Sequence, residues 1–307
     1  MKFLKLIRFQ NLLMLALMQL VFHFVFLRNQ PDLLLALSDV QFVLLVVATI
    51  CIAAGGYVIN NIMDLETDAV AKPNDVVVGK HISEGMAYNI YIALNIIGVG
   101  IGFYLSNLIQ KPMFSSVFII VAATLYMYAT SFKQNLLIGN IIIALLLGLS
   151  VIIVGIFDLF PVIFEENRIQ MAVYFSILTD YAIFAFLINL IREIVKDIED
   201  MDGDYNAGMN TLPIVLGKER TAKVVFFLTL IPVGLLLMYI NKNLLTLEWV
   251  MYYLLLFVTA PLLYFLIKVW SAKTKKDFHH LSTILKLVIL FGILSVVVIT
   301  INMKLNA

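Results

Sequence analysis

Long apolar segments separated by short polar ones dominate this chain. Nine segments hold about 20 mostly apolar residues each, the length that an α-helix needs to cross the hydrocarbon core of a bilayer. The predicted spans are roughly Asn11–Leu27, Val40–Ile62, Gly85–Asn107, Met113–Thr130, Leu136–Ile156, Met171–Ile191, Val224–Ile240, Trp249–Lys268 and Ile284–Met303. The pattern predicts an all-α integral membrane protein with nine transmembrane helices, folded as a single domain over residues 1–307.

The composition agrees with this pattern. Of the 307 residues, 62% are hydrophobic and 13% are charged, whereas soluble domains carry about 25% charged residues. The net charge is +1, and the sequence has no basic stripe or aromatic RNA-binding motif, so we expect no nucleic acid partner. The one cysteine, Cys51, lies in an apolar span, so no disulfide can form within one chain.

The first polar cluster follows span 2 and has the spacing Asn60-x3-Asp64-x3-Asp68. Because steps of four residues keep side chains on one face of a helix, these three side chains would form a ladder of oxygen ligands. Carboxylate and amide oxygens are hard ligands of the kind that Mg²⁺ prefers. The cluster therefore predicts a magnesium site at the end of span 2.

A second acidic cluster follows span 6. Its members are Asp197, Asp200, Asp202 and Asp204, with Asp200-x3-Asp204 as its core. The two regions hold 11 of the 20 acidic residues, and two such clusters would repel each other without cations. Both clusters follow even-numbered spans, so the topology places them on one side of the membrane. We expect them to face each other and to hold a magnesium-bound diphosphate, with Asp197 as an additional ligand.

The distribution of Lys and Arg predicts the orientation. With nine spans, 16 of the 21 Lys and Arg residues fall on the N-terminal side of the membrane. The positive-inside rule then places the N-terminus and both acidic clusters in the cytoplasm. We expect the protein to lie in the cell (inner) membrane.

Basic residues accompany both clusters. Lys72 comes one turn after Asp68, and Lys133 opens the next cytoplasmic loop. Arg192 lies on the helix of the second cluster, and Tyr128 is a further candidate substrate contact. Lys and Arg bind phosphate oxygens directly, so a diphosphate with a long apolar tail between the helices fits this arrangement. If the tail is allylic, C–O cleavage leaves a delocalised carbocation that aromatic side chains stabilise.

These motifs are similar to those of the UbiA superfamily of intramembrane prenyltransferases. The resemblance covers most of the chain, because it includes the nine spans and both aspartate motifs. The first motif is followed by Lys72-Pro73, and the second is the run REIVKDIEDMDGD at Arg192–Asp204, followed by TLPIVLG at Thr211–Gly217. The segment Tyr128–Lys133 and the pair Gly139-Asn140 are also typical of the family.

The resemblance implies a helical bundle around a central cavity, Mg²⁺ as the cofactor, and transfer of a polyprenyl group from its diphosphate to a lipophilic acceptor. The metal ligands of the family fall on Asn60, Asp64, Asp68, Asp200 and Asp204. Its diphosphate contacts fall on Lys72, Lys133 and Arg192. The expected catalytic set is therefore Asp64, Asp68, Asp200, Asp204, Lys72 and Lys133.

The second motif most resembles that of the digeranylgeranylglyceryl phosphate synthase branch, in which the acceptor is a prenylated glycerol phosphate. One departure bears on the acceptor. Where the family commonly continues Lys-Pro with Arg-Pro, this chain has Asn74-Asp75 after Lys72-Pro73. The acceptor therefore stays open, with an aromatic quinone precursor as the alternative.

A cation transporter with an acidic cytoplasmic vestibule is the alternative from another class. A transporter would need polar residues that continue across the membrane, whereas the acidic residues here stop near the cytoplasmic ends, apart from Asp180 in span 6. Asp180 either lines the cavity or pairs with another helix. We expect membrane lipid, a polyprenyl diphosphate donor and a lipophilic acceptor as partners, and no obligate protein partner.

Several polar residues outside the two motif cores are expected to have ordinary structural roles. We expect His23, in span 1, to be a hydrogen-bonded packing residue. Glu199 and Asp202 are expected as solvated loop charges. Adjacent residues of a helix face different ways, so we do not expect His279 and His280 to form a metal site, and we expect them to belong to a solvated basic loop.

Overall fold

The computed structural model describes residues 2–65 and 76–306, and within these ranges the chain is almost entirely helical. Nine helices in the described part are long and apolar enough to cross a membrane. They are α1 Phe9–Asn29, α2 Asp39–Met63, α3 Glu84–Leu108, α4 Pro112–Thr130, α5 Ile138–Val162, α6 Arg168–Asn206, α7 Lys218–Asn243, α8 Glu248–Ser271 and α9 Lys275–Leu305. Two short helices, Lys2–Leu6 and Leu212–Leu216, lie outside the spans. The all-α membrane fold predicted from the apolar pattern is confirmed.

The largest difference from the predicted spans is at the end of α6. The predicted span ends at Ile191, whereas the helix continues to Asn206. The first charged residues mark where the apolar surface ends, but Glu and Lys are good helix formers and carry the helix onward. The helix ends just before Gly208, whose φ of 69° is a left-handed conformation that glycine adopts without strain. The second acidic cluster therefore lies on a helix.

The chain divides into two compact units. Unit 1 comprises Met1–His23, Asp32–Lys133 and Ser150–Leu178. Unit 2 comprises Phe24–Pro31, Gln134–Leu149 and Thr179–Ala307. The first acidic motif thus belongs to unit 1 and the second to unit 2. That residues 1–307 form a single domain stays a prediction.

Two glycines bring helices close together in unit 1. A β-carbon added to Gly55 would lie 2.7 Å from Nδ2 of Asn95 on α3, and one added to Gly56 would lie 2.9 Å from Cδ1 of Leu125 on α4. Small residues of this kind let membrane helices approach each other closely. The tight packing of α3 and α4 against α2 fixes the part of α2 that leads to the first motif.

A buried polar pair also lies in unit 1. His23 and Asp158 are both fully buried, and His23 Nδ1 lies 2.6 Å from Asp158 Oδ2. The His23 ring stacks on Phe42, with ring centroids 3.8 Å apart. His23 belongs to a π-helical segment, Val21–Phe26, within α1. The expectation that His23 is a hydrogen-bonded packing residue is confirmed, but its partner was not predicted.

In unit 2, a capping box fixes the start of α9. The backbone N–H groups of Lys273 and Thr274 donate to Oδ2 of Asp277 at 3.1 and 2.8 Å. The N–H of Asp277 in turn donates to Oγ1 of Thr274 at 3.2 Å. This reciprocal arrangement satisfies N–H groups that have no partner within the helix. It sets the direction in which the first turn of α9 presents its side chains.

Candidate active site

The first motif lies at the end of α2, where Asp64 directly follows the last helical residue, Met63. Nδ2 of Asn60 donates a hydrogen bond to Oδ2 of Asp64 at 2.8 Å, as expected for side chains one turn apart on one face. Oδ1 of Asn60 is buried, and no described residue donates a hydrogen bond to it. An uncompensated buried oxygen is costly, so its presence beside a carboxylate indicates a ligand position.

Lys133 completes the described part of this group. It lies in the short 3₁₀ turn Phe132–Gln134 that follows α4. Its Nζ donates to Oδ1 of Asp64, and the side chains are 10% and 17% exposed. The structure therefore brings together three of the predicted site residues, Asn60, Asp64 and Lys133. Tyr128 is half-buried near the end of α4.

Two residues of the first predicted site, and the departure at Asp75, fall in the segment 66–75. Asp68, Lys72 and Asp75 lie outside the described residues 2–65 and 76–306. The roles of Asp68 and Lys72, and the effect of the departure at Asp75, stay predictions.

The second motif lies on the last turns of α6, in unit 2. Nδ2 of Asn140, in the first turn of α5, donates to Oδ2 of Asp197 at 2.7 Å. From the sequence, Asn140 was predicted only as part of a pair typical of the family, with no role of its own. The feature of the sequence that could have indicated a role for Asn140 is its position as a polar residue at the start of an otherwise apolar span. Because this hydrogen bond uses one carboxylate oxygen, it orients the Asp197 side chain.

Arg192 lies on α6 at the start of the motif. It is buried, and its Nη1 lies 3.4 Å from Oε1 of Glu193. Lys196 also contacts Glu193, with Nζ 3.0 Å from Oε1. Nε of Arg192 is buried and has no hydrogen-bond acceptor among the described residues. A buried guanidinium with an unused donor is suited to an anionic ligand.

The first turns of α9 contact the second motif. Lys275 Nζ lies 3.7 Å from Oδ1 of Asp200, and His279 Nδ1 lies 2.9 Å from Oε1 of Glu199. His279 is 73% exposed, as expected for a solvated residue, but it is paired. The expectation for Glu199 was wrong, because it lies on α6 and is only 17% exposed. Asp202 is exposed, as expected.

The metal ligands are only partly placed. Within residues 2–65 and 76–306, no three His, Cys, Asp or Glu side chains lie close enough together to hold a metal ion. Asp68 is not among these residues. The available chemistry nevertheless fits Mg²⁺, because the orphaned Oδ1 of Asn60 and the Asp64 carboxylate are hard oxygen donors.

An apolar groove runs between α3 and α4 in unit 1. Its volume is about 770 Å³, and nearly all of its lining is apolar. Tyr91 and Tyr126 belong to its lining, with ring centroids 6.5 Å apart. The groove extends along both helices to Phe103 and Ile119. The groove is open along the outer surface of the two helices, because Phe103, Ile119 and Tyr126 in its lining are 59%, 55% and 45% exposed.

Comparisons with known sequences identify the relatives of this chain. The model of the UbiA prenyltransferase family matches residues 15–299. The digeranylgeranylglyceryl phosphate synthase of Methanobrevibacter smithii is 32% identical over 197 residues, which cover 64% of this chain and 66% of the relative. The enzyme of the same name from Saccharolobus solfataricus is 31% identical over 80% of this chain and 79% of the relative. The matched segment thus spans just under two thirds of the length of the first relative.

Solved structures share the fold. A digeranylgeranylglyceryl phosphate synthase superposes with a TM-score of 0.65 at 25% identity, covering 96% of this chain and 98% of that one. A UbiA homologue from Archaeoglobus fulgidus, bound to GPP and Mg²⁺, superposes with a TM-score of 0.61 at 17% identity. This match covers 97% of this chain and 99% of that one. The match of the family model to nearly the whole chain, together with this shared fold, shows that the chain belongs to the UbiA prenyltransferase family.

Proposed function

We propose that this protein transfers a polyprenyl group, geranylgeranyl, from its diphosphate to a lipophilic acceptor, a prenylglycerol phosphate. The observation that carries the proposal is the group at the end of α2. There, a buried amide oxygen of Asn60, the carboxylate of Asp64 and the ammonium of Lys133 come together. A magnesium–diphosphate is bound by oxygen ligands for the metal and by a cation for the phosphate, and this group contains both.

Mg²⁺ is the proposed cofactor. The proposed ligands are Asn60, Asp64 and Asp68 in the first motif, and Asp197, Asp200 and Asp204 in the second. When bound, Mg²⁺ supplies positive charge that stabilises the departing diphosphate. The binding of GPP and Mg²⁺ by the Archaeoglobus homologue supports this part of the proposal.

In the described part of the chain, the proposed diphosphate-binding residues are Lys133 at the first motif and Arg192 at the second, with Lys72 as a third. Lys133 is already held beside Asp64. Arg192 is largely buried and retains an unused Nε–H. Preorganised cations of this kind stabilise charge that develops on the leaving group without having to reorganise.

The proposed chemistry needs no covalent enzyme intermediate. The bond between C1 of the prenyl chain and the diphosphate oxygen breaks, and both electrons leave with the diphosphate. The hydroxyl oxygen of the acceptor forms the new C–O bond, and its proton passes to the departing diphosphate. The apolar groove of unit 1 is proposed to bind the prenyl chain, and its Tyr91 and Tyr126 rings offer cation–π stabilisation to an allylic cation.

The names of the relatives support the proposed acceptor, because the Methanobrevibacter and Saccharolobus relatives are both digeranylgeranylglyceryl phosphate synthases. The alternative is an aromatic quinone precursor, motivated by the departure at Asp75. We also propose that the protein lies in the cell membrane with its N-terminus and both motifs on the cytoplasmic side. The charge distribution of the loops supports this orientation.

An acceptor screen tests the proposal. Purified protein in lipid, with Mg²⁺ and radiolabelled geranylgeranyl diphosphate, is offered geranylgeranylglyceryl phosphate, 4-hydroxybenzoate or dihydroxynaphthoate. We expect a labelled diether product with the first acceptor only. Transfer to an aromatic acid alone would overturn the acceptor but keep the prenyltransferase. If no acceptor is prenylated and no diphosphate is released, the proposed function is wrong.

A further inference from the structure

Each acidic motif has a lysine beside it that comes from a different element. In unit 1, Lys133 pairs with Asp64, and in unit 2, Lys275 pairs with Asp200. Lys133 is an expected phosphate contact of the family, but Lys275 has no role assigned by either motif. It follows span 8 in the sequence, 75 positions after the aspartate that it contacts.

The Lys275 position is fixed by its own helix. Asp277 and Thr274 form the capping box at the start of α9, so the direction of the first turn is set. One turn later, His279 contacts Glu199 on the same helix as Asp200. Residues four apart lie on one face of a helix. The face of α9 that carries Lys275 and His279 is therefore the face directed at the second motif.

The pair between Lys275 and Asp200 is a weak surface ion pair. Its atoms are 3.7 Å apart, and the two side chains are 62% and 33% exposed. Exposed pairs of this kind contribute little to folding. The ammonium of Lys275 has three donors, and its exposure leaves room for an additional anionic partner beside Asp200.

The segment that carries Lys275 is rich in basic side chains. Lys273, Lys276 and His280 are all exposed in the same segment. The nearest acidic residue in sequence is Asp277, whose Oδ2 already accepts two backbone hydrogen bonds. Glu199 is paired with His279. The segment Lys273–His280 therefore carries three lysines against one aspartate, and this basic segment lies against the acidic second motif.

We propose that Lys275 binds a phosphate oxygen of a substrate at the second motif, as the counterpart of Lys133 at the first. This inference rests on the proposed prenyl transfer for its substrates. Two substrates carry such oxygens: the donor has a diphosphate, and the proposed acceptor has a glycerol phosphate. The same lysine chemistry serves either one, so the test must separate them.

The test compares Lys275→Ala with Lys275→Arg and with the matched control Lys276→Ala. Lys276 is exposed on the same turn and forms no ion pair with the described residues. The KM of each substrate is measured with the other saturating. Equilibrium binding of inorganic diphosphate and of glycerol phosphate to the purified protein in Mg²⁺ is measured in parallel.

We expect Lys275→Ala to raise one KM, and to weaken binding of the matching probe, by about tenfold, the scale of one charge-assisted hydrogen bond. Lys275→Arg should recover most of the loss, and Lys276→Ala should behave as wild type. A donor effect assigns Lys275 to the diphosphate, and an acceptor effect assigns it to the glycerol phosphate. If Lys275→Ala matches Lys276→Ala in both KM values and in both binding assays, the proposal is overturned.

The binding assays keep this test separate from the proposed function. A wild-type protein that transfers no prenyl group would refute the proposed function, yet weaker probe binding by Lys275→Ala would still support the phosphate contact. If that variant lowers thermal stability without weakening either probe, Lys275 is a structural residue and the inference is wrong.

Discussion

Nδ1 of His23 lies 2.6 Å from Oδ2 of Asp158, and neither side chain is exposed. The two residues are 135 positions apart, so the contact ties α1 to the end of α5 within unit 1. The pair lies in the interior without being part of either acidic motif. Because both side chains are buried, we expect the loss of the pair to lower the stability of the protein rather than its catalytic rate.

Removing one partner of this pair should destabilise the fold strongly. Asp158→Ala removes the carboxylate that lies against Nδ1 of the buried imidazole, and breaking a buried pair in this way costs about 3–5 kcal/mol. The free energy of unfolding in detergent micelles measures the effect. Asp180→Ala is the control, because Asp180 is an exposed aspartate in a span. Equal effects of the two substitutions would show that the His23–Asp158 contact carries no special stability.

Asn60 and its neighbour Asn61 should respond differently to substitution. Oδ1 of Asn60 is buried and unsatisfied, whereas Nδ2 of Asn61 donates to the carbonyl of Tyr57 at 2.8 Å. We expect Asn60→Ala to raise the Mg²⁺ concentration needed for half-maximal activity by about tenfold, the typical scale for a lost ligand contact. Asn61→Ala should leave the Mg²⁺ requirement unchanged and lower only stability. A Mg²⁺ titration that shifts equally for both variants would contradict this assignment.

Charge at the first motif should control the chemical step. Asp64→Asn keeps the shape of the side chain but removes its charge, and Lys133→Met removes the ammonium that contacts it. We expect each variant to lose about 10²–10³ in kcat, the scale for losing one preorganised electrostatic contact. Because the two groups act together, the double variant should lose less than the product of the single losses. Diphosphate release measures the step, and independent, multiplicative losses would argue against a shared role.

The groove between α3 and α4 should select for chain length. Ala123 lies in its lining, and Ala123→Trp would fill part of the space. We expect the KM for geranylgeranyl diphosphate to rise by about tenfold, with a smaller rise for geranyl diphosphate, because the shorter chain needs less of the groove. Ala172→Trp, at an exposed position of α6 outside the groove, is the control. Equal effects on both donors would place the prenyl chain elsewhere.

The membrane spans could be predicted because each one is encoded by a long run of neighbouring apolar residues. Each span is a run of about 20 apolar residues, and a bilayer imposes that length on every crossing helix. The end of α6 was not predictable in the same way. The change from apolar to charged residues at Ile191 and Arg192 reports the edge of the apolar surface, and the helix continues past it.

Among the contacts of the site, those between residues close in the sequence were predictable, and those between distant residues were not. Asn60 and Asp64 are one turn apart, so helical periodicity predicts their contact, and the structure contains it. The partners of Asp197 and Asp158 are 57 and 135 positions away in the sequence. No local pattern encodes such contacts, because they depend on how helices pack. Lys275 is a similar case, since its exposure was predictable but its aspartate partner was not.

Helix α6 has 39 residues and so is about 58 Å long, whereas the hydrocarbon core of a bilayer is about 30 Å thick. The apolar residues of its predicted span anchor it in lipid, and the motif residues follow without a helix break. The height of Asp200 above the lipid is therefore tied mechanically to the thickness of the membrane. A thicker bilayer would bring the lipid surface closer to these carboxylates, and a thinner one would leave them further above it. Acyl-chain length is therefore a physical variable of the site.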